Sequence, residues 1–396
     1  MAEQSPNFAV EGPLGAPLGG LGRNVFGKGA LQQLPAELQK LGVSRVCVIG
    51  SGTTRSVQQL AVVAAALGQL HARTWEGCKQ YIYPENLEDA EQALRSAAAD
   101  CVVTVGGGGP VGYGKILAWR LAIPLACVVT TYSGSECTAL QSIIEDGAKK
   151  IYTNPAMLAT VRIYDTDMTL GLPLRLSVVS GMNGLAHAFS AIYNPASNRY
   201  HLMVATEAVR CMSSALRELH ALSADEDPTQ VRTAILYAAW LCGVCIAGLG
   251  IHHKIAHILG GTFKANHADS HTVALPHSIA YNEAAAPAER NAAASVALGG
   301  SPSDSPSVLM HELQKSLGAP TSLHEIGLPG DFGQADLPRL MHEIMEGAVS
   351  HPACYEAYSE SRILDSLTSM YHGQPPAAKP SVGLANAVAE AASGKL

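Results

Sequence analysis

Five of the chain's 15 histidines fall within HHKIAHILGGTFKANHADSH, residues 252–271. Imidazoles at this density serve as metal ligands, as proton-transfer groups or as the lining of an anion pocket. Their spacing is the first constraint. His253 and His257 are four apart, and so are Asn183 and His187 in SGMNGLAHAFSAIYN. Residues four apart share one face of a helix. His267 and His271 follow Gly260 and Gly261, which read as a turn. Two helices and a loop would then converge on one pocket, with Asn183, His187, His253, His257 and His267 as the candidate catalytic set. A lone histidine is more often a satisfied core residue, and His252 and His277 read as structural or peripheral. Spacing alone leaves metal, proton and anion chemistry open.

The second chemical signal is VTVGGGGPVGYGK, residues 103–115, between a buried strand and a helix. Consecutive glycines let a pyrophosphate approach the backbone closely, and a helix N-terminus offers free N–H groups and a favourable dipole. The run is neither a Rossmann G-x-G-x-x-G after the first strand nor a Walker loop, since Lys115 is not followed by Ser or Thr. A glycine-rich turn at a sheet edge is the plain alternative. The candidate cofactor-binding residues are Gly106, Gly107, Gly108, Gly109 and Lys115, with Thr130, Thr131 and Ser135 from TTYSGSE after the next strand. GSGTTR, residues 50–55, has no acidic residue for a ribose diol, and Arg55 could meet a 2′-phosphate. That leans toward NADPH without deciding between NADH and NADPH.

The elements that must position these residues follow from periodicity. RVCVIGSG, DCVVTVGGGG and IPLACVVTTYSGSE read as buried strands alternating with helices, which implies a parallel, doubly wound α/β sheet with ligands at the strand C-termini. Beyond Pro173 the apolar spacing is helical almost throughout. The expected organisation is an N-terminal arm (1–20), an α/β dinucleotide-binding domain (21–173), an all-α C-terminal domain (174–375) and a loose tail (376–396), with the active site in the cleft between the two domains. AILYAAWLCGVCIAGLGI, residues 234–251, is uncharged over 18 residues and imitates a membrane span, but its Ala, Gly and Cys content suits a buried central helix better. Cys242 and Cys245 form a C-x-x-C inside that segment without a second pair or a redox context. The nine scattered cysteines read as buried thiols in a reducing compartment. A formal charge of -7 without a dense Lys/Arg block argues against nucleic acid as a partner. No signal peptide is read at the N-terminus, so a cytoplasmic location without membrane partners is expected.

Taken together, VFGKGAL, VGGGGPVGYGK, TTYSGSE, VRIYDTDMTL, SGMNGLAHA, AWLCGVC, GLGIHHKIAHILGGTFKANHADSHTVALPH and LGAPTSL resemble the iron-containing alcohol dehydrogenase family, and within it the maleylacetate reductases, over residues 22–372. The resemblance implies a dehydroquinate synthase-like fold and NAD(P)H-dependent reduction of maleylacetate to 3-oxoadipate, a late step in aromatic ring breakdown. It also implies a homodimer and a small anionic substrate. Metal-dependent members hold their ion at positions that correspond here to Asn183, His187, His253 and His267, with a carboxylate at the first. Asn183 stands in its place, as in the maleylacetate reductase branch, so no metal is expected. In this reading His187, His253 and His267 stabilise a developing enolate and His257 supplies the proton. Two departures are visible: Gly109 and Pro110 stand where the family has a Ser-containing loop, and HPACYEAYSESRI differs from the usual Asn-Pro segment. They leave room for a metal-dependent alcohol dehydrogenase or for a repurposed non-redox member that isomerises or cyclises its substrate. A pure binding or scaffold role would leave the histidine set without a purpose.

Overall fold

The computed structural model describes residues 8–10, 22–145, 148–328, 340, 342, 344 and 359–377. The rest of the expected arm, the tail from residue 378 and the first part of HPACYEAYSESRI lie outside the described residues.

The N-terminal half alternates strand and helix. Its elements are β1 (Phe8–Val10), β2 (Arg23–Phe26), α1 (Leu34–Lys40), β3 (Val46–Ile49), α2 (Thr54–Leu67), β4 (His71–Trp75), α3 (Pro84–Ser96), β5 (Cys101–Gly106), α4 (Gly108–Leu121) and β6 (Leu125–Val129). A hairpin of β7 (Leu140–Glu145) and β8 (Ala148–Thr153) precedes β9 (Val161–Tyr164). The main sheet has the order β1-β2-β9-β6-β5-β3-β4. It is parallel from β2 to β4, and β1 adds an antiparallel edge.

The central strands are apolar at nearly every position because both faces of a parallel sheet are covered. Val46, Val48, Val103 and Val105 point to one side, against Leu34 and Leu38 of α1 and Leu60 and Val63 of α2. Cys47, Ile49 and Val102 point to the other, against Leu87 and Leu94 of α3, Ile116 and Leu117 of α4 and the helical half of the molecule. From β3 the chain passes to β4 on one side and returns as β5 on the other. The C-terminal ends of β3 and β5 therefore open a crevice at a topological switch point, where doubly wound sheets take their ligands.

From Leu174 onward the named elements are helices: α5 (Leu174–Ile192), α6 (Arg199–Ala221), α7 (Thr229–Val244), α8 (Ile251–Thr262), α9 (His267–Glu283), α10 (Ala288–Ala297), α11 (Pro306–Ser316) and α12 (Glu360–His372). Two expectations need correction. The uncharged segment 234–251 is not one central helix: α7 ends at Val244, Gly248 takes φ 150°, and α8 starts at Ile251. Glycines at 248 and 250 break what apolar composition alone would continue. Among the described residues no helix is long and apolar enough to cross a membrane. Gly260 and Gly261 do not form a turn either; they lie inside α8. The chain turns at Lys264, which takes a left-handed φ of 57°, and Asn266 then caps α9 by accepting from the amides of Ala268 and Asp269.

Candidate active site

One face of α5 lines a cleft of about 410 Å³. Leu176, Val179, Ser180, Asn183 and His187 all face it, at the spacing of one helical stripe. At a rise of 1.5 Å per residue the stripe from Leu176 to His187 runs about 16 Å, so the cleft is elongated along α5. The glycine loop after β5 faces it from the sheet side, and α8 and α9 close the far end with His253, His257 and His267.

The candidate histidines do converge, but on three helices rather than on two helices and a loop, because His267 is the first residue of α9. Ring centroids are 4.6 Å apart for His187–His253, 6.5 Å for His253–His257 and 5.5 Å for His257–His267. His271, one turn after His267 on α9, fills the middle of the cluster. Its ring lies 4.3 Å from that of His253 and 4.6 Å from that of His267. It is fully buried and neither ring nitrogen has a hydrogen-bond partner. The i,i+4 signal for it was present in the sequence, but the apparent glycine turn hid the helix that carries it.

His252 is structural, as expected. Its Nε2 lies 2.9 Å from the Ala186 carbonyl and 3.0 Å from Ser190 Oγ, and its Nδ1 lies 2.8 Å from Ser278 Oγ. These bonds clamp α8 between α5 and α9. His277 is buried and does not line the cleft.

Burial sets the charge of the cluster. It pushes His187 down to about 3, helped by nearby His252 and Lys115, and pushes His252 down to about 4. His253 and His271 are held well below the usual imidazole range, first by burial and then by their neighbouring imidazoles. The inner imidazoles are therefore neutral at neutral pH. His257 and His267 are only half-buried. Asn183 is buried with its Oδ1 unpartnered, and His187 Nδ1 and His253 Nε2 are likewise unpartnered. Each leaves polar capacity for a ligand in the cleft.

The glycine side of the cleft is made mostly of backbone. Gly107, Gly108 and Gly109 line the cleft at the start of α4, whose N-cap Gly107 makes no side-chain cap bond. A Cβ on Gly108 would meet only Ser135 Oγ, at 3.8 Å, so the space before it is open. A Cβ on Gly109 would lie 2.8 Å from the Lys79 carbonyl, which explains why glycine replaces serine there. That carbonyl belongs to the β4–α3 loop, whose Tyr81 hydroxyl donates to the Ala265 carbonyl at 2.7 Å and roofs the cleft. Thr131 and Ser135 line the cleft, as do Ser133 and Gln141, which the sequence reading passed over.

Gly106 and Thr130 do not line the cleft, and Lys115, which does, has its ammonium group engaged by protein. Gly106 is not on the cleft wall; it ends β5 at φ 151°, with the Pro110 ring 2.5 Å from where its Cβ would stand. Thr130 is buried behind it, its amide donating to the Gly106 carbonyl at 3.4 Å. Lys115 is fully enclosed, and Nζ donates to the Ser135 carbonyl (2.6 Å), Thr138 Oγ1 (2.7 Å) and the Leu140 carbonyl (3.2 Å). All three ammonium hydrogens are thus used to pin the loop after β6, and burial lowers the lysine to about 8. That loop is also fitted to the helices by glycine: Gly134, at φ 75°, carries a carbonyl only 2.5 Å from where a Cβ on Gly243 would stand.

Comparison with known proteins decides the family. Residues 22–166 match the model for iron-containing alcohol dehydrogenase, and residues 177–371 match that for the C-terminal part of the Fe-containing alcohol dehydrogenase family. The chain belongs to the iron-containing alcohol dehydrogenase family. It is 34% identical over 356 residues to maleylacetate reductase of Pseudomonas sp. (strain P51), covering 89% of this chain and 97% of that protein. It is 37% identical over 311 residues to maleylacetate reductase of Rhizobium sp. (strain MTP-10005), covering 78% and 86% respectively. The structure of maleylacetate reductase from Agrobacterium tumefaciens superposes with a TM-score of 0.80 at 33% identity, over 94% of this chain and 99% of that one. The chain is an oxidoreductase of this NAD(P)-dependent family.

The residues present fit the dinucleotide: Gly108 leaves open space at a helix N-terminus that a side chain would fill, and Gly107 beside it packs tightly on Thr131. They fit the family's iron poorly. Asn183 brings an amide, so the set Asn183, His187, His253 and His267 carries no negative charge. Among the described residues, the three side chains whose ligand atoms lie within 4.8 Å of one another are instead His252, His253 and His271. Both nitrogens of His252 are already committed to Ala186, Ser190 and Ser278.

Proposed function

We propose that this enzyme reduces maleylacetate, or a closely similar unsaturated oxo-acid, to 3-oxoadipate with NADH or NADPH and without a metal ion. The observation that carries this reading is the neutral histidine layer facing a cleft with an amide, not a carboxylate, at position 183. The maleylacetate reductases at 34% and 37% identity support the substrate class.

A nicotinamide held in this cleft would supply the hydride that adds to the C=C conjugated with the substrate ketone. The protein's part is then to accommodate the negative charge that moves onto the ketone oxygen as an enolate. The neutral imidazoles of His187 and His253 donate N–H bonds to that oxygen from buried positions on the cleft wall, where such bonds act more strongly than in water. Asn183 adds its amide N–H₂, since the amide can turn over to present nitrogen to an anion. His267 borders the same space and faces the substrate carboxylates. The enolate carbon takes its proton from His257, which is half-buried and can be recharged from solvent. One hydride and one proton are added in all, and the C=C becomes a single bond.

The test is steady-state NADH and NADPH oxidation by purified protein with maleylacetate, before and after prolonged chelation, with metal analysis of the same sample. Turnover should survive chelation in protein that holds no stoichiometric iron or zinc. One equivalent of tightly bound metal, lost together with turnover, would overturn the metal-free reading, and failure to oxidise either nucleotide would overturn the redox reading.

A further inference from the structure

Two guanidinium groups, Arg55 on the cleft wall and Arg232 behind it, form no ion pair with a carboxylate among the described residues. Arg55 stands at the start of α2, directly after the turn that ends β3, and its side chain lines the cleft. Its Nη1 is buried and makes no hydrogen bond. Arg232 of α7 is buried behind it, donating to Tyr132 Oη at 2.9 Å, Ser177 Oγ at 3.2 Å and the Leu172 carbonyl at 2.9 Å, with its Nε unpartnered. Burial, and the positive charge of nearby Arg232, both work against the charge on Arg55. Among the described residues no acidic side chain forms an ion pair with either arginine, and the first turn of α2 holds none. Two uncompensated cations in a partly dry site repel each other unless an anion joins them.

The fold says which anion. β3 and β5 are neighbouring parallel strands, with Ile49 opposite Thr104. The turn that leads into α2 and Arg55 therefore leaves the sheet next to the glycine loop, from strands about 4.8 Å apart. Through Arg232 and Tyr132, Arg55 is linked to Leu172 and Ser177 at the N-terminal end of α5. The histidines lie toward the other end of the same helix. A dinucleotide with its pyrophosphate on Gly107 and Gly108 and its nicotinamide by His187 and His253 places its adenylate ribose on the Arg55 side. Glu76, which follows β4, is exposed and does not line the cleft, so no carboxylate stands ready for a ribose diol.

We infer that Arg55 reads the 2′-phosphate of the cofactor, with Arg232 adding positive charge from behind, and that the enzyme selects NADPH over NADH. This rests on the dinucleotide reading of the cleft but not on the identity of the substrate. Arg55 is bidentate-capable and carries a fixed charge, which suits a phosphate dianion. The helix α2 N-terminus favours negative charge at the same place.

The experiment is equilibrium titration of the full-length protein with NADPH, NADH and adenosine 2′,5′-bisphosphate, followed by calorimetry or nucleotide fluorescence, for the wild type, Arg55→Ala and Arg55→Lys. The wild type should bind NADPH more than about tenfold tighter than NADH, a gap of about 1.4 kcal/mol. Arg55→Ala should abolish that gap and the binding of the bisphosphate while leaving NADH affinity unchanged, and Arg55→Lys should recover part of it. Equal or tighter binding of NADH by the wild type overturns the inference. So does an equal loss for both nucleotides in Arg55→Ala. Arg55-dependent NADPH binding in a protein that does not reduce maleylacetate supports the inference and removes only the proposed substrate. Failure of both nucleotides to bind overturns the inference together with the redox reading.

Discussion

The two ends of the cleft solve recognition by opposite means. On the proposed reading the nucleotide meets mainly backbone at the glycine loop, where Gly108 leaves open space before the N-terminus of α4, and side-chain charge enters from Arg55 beyond it. At the histidine end it meets side chains from α5, α8 and α9, whose chemistry depends on how deeply they are buried. The first end tolerates no added atoms. The second tolerates no change in solvation, because the same imidazoles exposed to water would be partly cationic near pH 6.5. Substitutions should therefore divide cleanly: those at the loop act on nucleotide affinity, and those at the histidines act on turnover.

The largest effect belongs to the histidine end. Removing a donor aimed at developing charge costs about a hundred- to a thousandfold in turnover. His253→Ala and His267→Ala should each show a loss of that size, with NAD(P)H dissociation constants nearly unchanged and circular dichroism confirming the fold. Near-normal turnover in both variants would make the cluster structural. Next in size is Gly108→Val. Only Ser135 Oγ, at 3.8 Å, lies near the new Cβ, so the fold should survive while the cradle is filled. Nucleotide affinity should fall more than about tenfold, or about 1.4 kcal/mol. Wild-type affinity in the valine variant would show that the pyrophosphate lies elsewhere.

A third substitution separates a structural histidine from those proposed to react. His252→Ala removes bonds to Ala186, Ser190 and Ser278 in the core between α5, α8 and α9. Leaving such buried groups unmade costs about 1–3 kcal/mol, before any cavity is counted. The urea midpoint should drop accordingly, with residual turnover well above that of His253→Ala. A variant as stable as wild type would show that the clamp is not needed.

The difference between the two ends also explains what the sequence disclosed. Glycine runs between a strand and a helix are local signals, so VTVGGGG was legible, as were the buried strands on either side of it and the parallel α/β class they imply. What the sequence could not show of Lys115, which does line the cleft, is that its three donors bond Ser135, Thr138 and Leu140, contacts made by a loop 20 to 25 residues away. The i,i+4 pairs brought His187, His253 and His257 to one place on paper. The centrality of His271 was not legible, because it depends on α8 running through Gly260 and Gly261 and on α9 beginning at His267. Glycine at a helix end is a stop signal by propensity, and here packing of Ile255, Ile258 and Leu259 against Val273 and Ala274 overrides it. The β7–β8 hairpin went unread although QSIIEDGAKKIYT carries an Asp-Gly dipeptide between partly alternating residues, a short-range hairpin signal.

The smallest effect tests whether burial, rather than a specific partner, keeps the histidines neutral. His277 is buried outside the cleft and is held down to about 3 by burial and by nearby His311. His187 and His252 lie at about 3 and about 4 for the same leading reason. In the unfolded chain each returns to about 6.5. Between those limits the unfolded state binds protons that the folded state refuses, so stability is fully present above the unfolded value and is lost as pH falls below it. Each such group contributes up to about 1.4 kcal/mol per pH unit to the decline. Denaturation midpoints should thus be level from pH 8 to pH 7 and fall steeply below about pH 6.5. His277→Gln cannot take up that proton. Whatever it does to absolute stability, its stability should fall less steeply with acid between about pH 6 and pH 5, by up to the contribution of one group, while turnover stays near that of the wild type. An unchanged slope would mean that His277 is already protonated, or shielded by a partner, in the folded protein, and would weaken the case that depth alone neutralises the layer around His187 and His253.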